Sequence, residues 1–168
     1  MAAWLSVWND TRGEWIPLDV RRCASFLCRL RGLTFRRRLR RGEGLLLIGG
    51  RESRVEAAIH MLFVFFPIAT VWLDGDGRVV DARLARPFRP LYIPRAPARD
   101  VLEGPPELLE RVAMGERLRF LKAPSGSVTR VSGRKPPYSA KVGGHRPPQS
   151  VESSHSQPKS GVTDSLRA

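Results

Sequence analysis

IATVWLDGDGRVVDARL, residues 68–84, is the stretch that decides the fold. An apolar, β-branched run leads into Asp74-Gly75-Asp76-Gly77, and a second run follows in which apolar and polar residues alternate. A D-G turn between two such runs is a strong short-range signal for a β-hairpin. The acidic pair at 74 and 76 also suggests a calcium loop. An EF-hand, however, needs further oxygen ligands and a distal Glu, and Arg78-Val79-Val80 stand there instead, so the turn reading is preferred.

Working outward, Pro67 marks the start or edge of the first strand, because proline cannot donate to a sheet ladder. Residues 45–48 read as a short apolar strand ended by Gly49-Gly50. Residues 3–8 and 14–18 flank N-D-T-R-G and read as another hairpin. Asp19 then caps an expected helix in which Val20, Cys23, Ala24, Leu27 and Leu30 share one face and Gly32 ends the run. Four prolines between 87 and 97 make 86–98 an extended loop. Residues 101–102 read as a short strand, Pro105-Pro106 opens a short helix over 107–113, and 117–121 is a last strand.

The composition breaks near residue 122. All four Trp and all seven Phe precede it, and Pro, Ser, Gly and Lys crowd the residues after it. A segment that poor in large apolar groups buries too little surface to offset the entropy of ordering. The expected organisation is a single mostly β domain over 1–121 and a disordered, basic, Pro/Ser-rich tail over 122–168. Of the net +13, the tail carries +6 (eight basic residues against two acidic) and the domain +7. Every lysine is in the tail, so the domain's cations are all arginine, a composition that genome bias also produces. The charge favours anionic partners such as nucleic acid or anionic lipid.

Cys23 and Cys28, placed in a helix, stand too far apart for a bridge, which reads as free buried thiols in a reducing compartment. The N-terminus shows no secretory pattern, and the apolar run over 59–73 is too short to span a bilayer and is broken by His60 and Pro67. A cytoplasmic protein without a membrane span is expected.

The linked motifs GLTFR (32–36), GEGLLL (42–47), HM (60–61), FPI (66–68), VWLDGDGRVV (71–80), APARDVLEGP (96–105) and GERLRF (115–120) occur in one order. With them the chain resembles the prokaryotic family known as domain of unknown function 192, from about Trp8 to Phe120. The resemblance implies a compact antiparallel β barrel or sandwich with short helices at its rim, in agreement with the residue-level reading. It implies no established reaction. After FPI the family commonly has an aspartate, and here the position is Ala69.

No catalytic set, cofactor motif or metal set emerges. His60 is the only histidine of the domain, and a closed metal site would need unusual ligands. Ser6, Ser25 and Ser53 lack a nucleophile-elbow context, and the glycine pairs form no phosphate loop. Glu43, Glu52 and Glu56 sit among arginines and suggest surface ion pairs. The leading expectation is therefore an uncharacterised, non-enzymatic binding or accessory domain, with a ligand groove bordered by His60, Phe66, Trp72 and the Pro-rich loop. Two alternatives stand beside it. Arg36, Arg37, Arg38, Arg40 and Arg41 could grip nucleic-acid phosphates, with Phe35 stacking on a base and the basic tail assisting. A hydrolytic or other enzyme would use His60 and Asp74.

Overall fold

The computed structural model describes residues 4–40 and 42–122. The basic tail read from composition, apart from Lys122, lies outside the described residues, as does Arg41.

The hairpin anticipated from the D-G turn is present. It joins β4 (Ile68–Leu73) to β5 (Val79–Ala85). Asp74 makes the turn, its Oδ1 accepting the backbone N–H groups of Asp76 and Arg78 at 2.9 and 2.8 Å. The other strands are β1 (Trp4–Asn9), β2 (Glu14–Cys23), β3 (Glu43–Leu47), β6 (Asp100–Gly104) and β7 (Leu118–Lys122). They form one seven-stranded sheet in the order β5-β4-β6-β3-β2-β1-β7. Helix is scarce: α1 (Phe26–Arg31) and a 3-10 turn over Pro106–Glu110.

The sheet curls so that its two edges meet at one corner. Leu118 N–H donates to Gly77 O and Val79 N–H to Glu116 O, both at 2.8 Å, and Arg78 bridges Arg117. The result is mainly β and barrel-like without full closure. Gly77 is required at the corner, because a Cβ there would lie 2.6 Å from Leu118 O and its φ is +79°.

Three expectations are corrected. The pattern over 19–30 does not make one long helix: β2 runs on to Cys23, and α1 starts only at Phe26 with Ser25 as its N-cap. The reason is tertiary. Asp19 to Cys23 pair in parallel with Glu43 to Leu47, and residues 24–42 form the crossover that a parallel pair needs. The sheet is consequently mixed rather than purely antiparallel. Cys23, at a strand end, then lies 5.5 Å (Cα–Cα) from Cys28, and the two form a disulfide instead of free thiols. The bridge removes the cysteine argument for a reducing compartment. Among the described residues, no helix is long and apolar enough to cross a membrane.

Strand alternation gives two cores. Leu46, Ala69, Val71, Leu73 and Leu102 point inward with Val7, Leu18 and Leu118 to fill the curl, and Leu108 of the 3-10 turn closes over them. Leu45, Leu47, Ile68, Trp72 and Val101 point outward, where Leu33, Ala57, Ile59, Met61, Val64 and Tyr92 from the connecting segments cover them. The neighbouring strands β4, β6 and β3 are thus buried on both faces, which explains the near-continuous apolar runs of β3 and β4.

Candidate functional site

The outer face of the sheet carries a row of residues in register across five strands. Arg21 of β2 faces Leu45 of β3, Leu45 faces Glu103 of β6, Glu103 faces Thr70 of β4, and Thr70 faces Arg83 of β5. Four of these five are polar, an unusual choice for a surface packed beneath loops. Arg21 Nε, Glu103 Oε2, Thr70 Oγ1 and Arg83 Nε are buried with no hydrogen-bond partner, and His60 Nδ1 completes that set among the described residues. Leaving buried polar atoms unmatched is costly, and four of these five share one face of the sheet.

A cavity of about 410 Å³ reaches this row at Glu103, the one residue of the five that lines it. Its walls are largely apolar, with Leu33, Leu47, Met61, Ile68 and Val101 among them. Arg29, Glu56, His60, Arg99 and Glu103 supply the charged or titratable lining. Glu103 is only 5% exposed, and burial pushes its carboxyl pKa up to about 7. The nearby arginines do not neutralise it by hydrogen bonds. Arg29 Nη2 donates to Glu56 O at 2.8 Å, and Arg99 grips Asp100 Oδ2 through Nε and Nη2 at 3.1 and 2.8 Å, a bond that raises the Arg99 pKa. The Gly32 backbone passes close to the acid: a Cβ added there would stand 3.9 Å from Glu103 Oε2.

Of the three residues expected to border a groove, only His60 lines this cavity. Trp72 is fully buried in the outer core, its indole N–H donating to Ala57 O at 2.8 Å and its ring lying beneath the Arg83 guanidinium at 5.0 Å. Phe66 is partly buried against the same core. Asp74 is used by its own turn and does not join His60 at the cavity, so the acid-base pair of the enzyme alternative is not assembled there. The arginine cluster is also divided. Arg36 is held by Glu43 at 2.8 Å, Leu39 packs against the outer core, and Arg37, Arg38 and Arg40 are exposed. Ala69 points into the inner core, on the sheet face opposite the cavity.

Sequence reasoning missed Glu103, the acid at the centre of the row. Its signal was a carboxylate directly after the apolar pair Val101-Leu102, in a strand all five residues of which are buried. Only the pairing across the sheet shows that Thr70 and Arg83 share its face.

Comparison with known proteins gives a consistent result. The model of the family described as "Uncharacterized ACR", the domain of unknown function 192, matches residues 7–120. A UPF0127 protein of Pyrococcus furiosus is 33% identical over 114 residues, which cover 67% of this chain and 95% of that protein. Another from Thermococcus kodakarensis is 34% identical over 64% of this chain and 67% of its own length. Among solved structures, a candidate transcription regulator of Sinorhizobium meliloti is similar with a TM-score of 0.62 at 22% identity, covering 71% of this chain and 94% of that one. A protein of unknown function from Novosphingobium aromaticivorans gives 0.57 at 18%, over 69% and 83%. At these identities the structural likeness speaks for the fold.

Proposed function

The chain belongs to the uncharacterised family known as domain of unknown function 192, and from that footing we propose that it is a non-enzymatic binding domain whose ligand sits in the outer cavity against Glu103 and His60. The observation that carries this reading is the buried, unpartnered carboxyl oxygen of Glu103 at the cavity wall. A volume of about 410 Å³ suits a small molecule, and the lining follows the usual pattern of apolar walls with a few convergent polar groups.

The lining also selects a chemistry. Glu103 Oε2 at the cavity wall accepts a hydrogen bond, and an amine or hydroxyl head group on a compact apolar body meets that demand. A ligand ammonium beside Glu103 would pull the carboxyl back toward its ionised form, so binding of an amine releases a proton near neutral pH. Asp74 supports the non-enzymatic side of the reading, since its turn contacts leave His60 without that acid.

The test is a titration of the full chain with cyclohexylamine, cyclohexanol and cyclohexanecarboxylate, followed by the amide and side-chain NMR signals of Glu103, His60 and Thr70. Saturable shifts with the amine or alcohol, weakened in Glu103→Leu, support the proposal. Equal response to the carboxylate, or no loss in Glu103→Leu, would sink it.

A further inference from the structure

Four phenylalanines stand out on the surface. Phe35, Phe63, Phe65 and Phe88 are each more than half exposed, and Leu62 beside them is exposed as well. They come from three separate connecting segments that the backbone ties together: Phe35 N–H donates to Phe63 O, and Phe88 N–H donates to Met61 O, both at 3.0 Å. Their rings continue the link. Phe35 stacks on Phe63 at 5.2 Å, and Phe65 meets Phe88 edge-on at 5.5 Å. Contiguous exposed aromatics of this kind mark an interaction surface.

The backbone adds an independent sign. Phe35, Phe63 and Phe88 have φ of 62°, 58° and 61°, and they are the only non-glycine residues with positive φ among those described. Bulky residues rarely occupy that region, and such strain persists at functional positions. Here it falls three times on the side chains that project from the protein.

The border of the patch is cationic. Segments 33–40, 59–66 and 86–93 contain no Asp or Glu. Arg37, Arg38, Arg86 and Arg89 are exposed within them, and Arg89 lies over the Tyr92 ring at 5.8 Å. We propose that this patch docks on an anionic phospholipid surface, with the Phe and Leu62 side chains entering the acyl boundary and the arginines meeting the head groups. The projecting side chains carry no hydrogen-bonding group, which suits a solvent-like apolar phase better than a partner read by directional contacts. A second copy of the chain would bring two arginine borders face to face, where like charges repel. Single-stranded nucleic acid would need open ring faces, and Phe35 and Phe63 cover each other. The proposal is independent of the cavity ligand.

The experiment is cosedimentation of the full chain with phosphatidylcholine vesicles, with and without phosphatidylglycerol, beside the variant Phe35→Asn/Phe63→Asn/Phe88→Asn. Asparagine tolerates positive φ, so the variant is expected to keep or raise its thermal midpoint. It also keeps every basic residue of the chain, so a purely electrostatic background is unchanged in it. The expected result is partition to the anionic vesicles that falls by roughly tenfold or more in the variant, the loss of apolar side chains from the acyl boundary. Should that variant fail to fold, Phe65→Ser and Arg37→Gln/Arg38→Gln/Arg89→Gln carry the test, and each should weaken partition. Absence of vesicle binding, or equal binding by wild type and variants, overturns the proposal. So does a patch-dependent oligonucleotide complex or dimer formed by a chain that ignores vesicles.

Discussion

Glu103 of β6 and Thr70 of β4 face each other across an antiparallel ladder, and each buries an oxygen without a hydrogen-bond partner. Neighbouring polar side chains of this kind ordinarily satisfy each other or water. Here both stay unmatched on one sheet face, Glu103 at the cavity wall, and an unmatched buried carboxyl ties folding to pH.

Stability should fall as pH rises through the range of the Glu103 carboxyl. Its folded pKa, about 7, stands above the ordinary 4.5, so the folded state holds a proton that the unfolded chain gives up first. The loss begins near pH 4.5, is complete a little above 7, and amounts to roughly 3 kcal/mol at most, from about 1.4 kcal/mol per pKa unit. Glu103→Gln should flatten most of that slope in denaturant unfolding followed from pH 4 to 8. A wild-type profile already flat over this window would show the carboxyl to be partnered or solvated.

Glu116 should act with the opposite sign. It is buried, yet hydrogen bonds from Arg12, the Ala113 N–H and Asn9 outweigh that burial and lower its pKa. Its contribution is present above the usual carboxylate range and is lost as pH falls through the lowered value. Glu116→Ala strands the fully buried Asn9 amide and should cost about 1–3 kcal/mol at pH 7. A neutral effect on the thermal midpoint would mean that the Asn9 and Arg12 contacts are not formed in solution.

Two glycines of similar φ should respond differently to alanine. Gly115, at +81°, has nothing within 4 Å of an added Cβ, so Gly115→Ala carries only the left-handed backbone penalty of about 1–2 kcal/mol. Gly77→Ala adds a clash with Leu118 O at the corner where the sheet edges meet, and should be clearly more destabilising. Urea midpoints of the two variants decide this, and equal values would mean that the corner is open.

The Cys23–Cys28 bridge closes a short loop, for which chain entropy gives about 2 kcal/mol. Reductant, or Cys23→Ser/Cys28→Ser, should lower the unfolding free energy by about that amount, read from denaturant unfolding. Alkylation and mass spectrometry of the unreduced protein should leave both cysteines unmodified. Two readily alkylated thiols would show that the bridge does not form.

Much of the sheet was legible because its signals are local. The D-G turn, the Pro67 boundary and the β-branched runs place β4 and β5 within a residue or so of where they lie, and N-D-T-R-G does the same for β1 and for the start of β2, whose end lies five residues beyond the expected one. The candidate site was only partly legible. His60 stood out as the domain's single histidine and does line the cavity, whereas Trp72, an equally conspicuous residue, is consumed by the core. Residues 19–23 show where local reading stops. Their three- and four-residue spacing is helical, but pairing with β3 fixes them as strand, and with that pairing comes the disulfide.

A mainly β fold, its hairpins, the basic charge and the family resemblance can all be read from the residues in order, because turn chemistry and alternation act over a few residues. Tertiary structure alone decided the mixed topology, the row from Arg21 through Glu103 and Thr70 to Arg83, and the meeting of Phe35, Phe63, Phe65 and Phe88 on one surface. Each of these joins residues far apart in the chain, and register between distant strands is set by burial of whole faces rather than by any local signal.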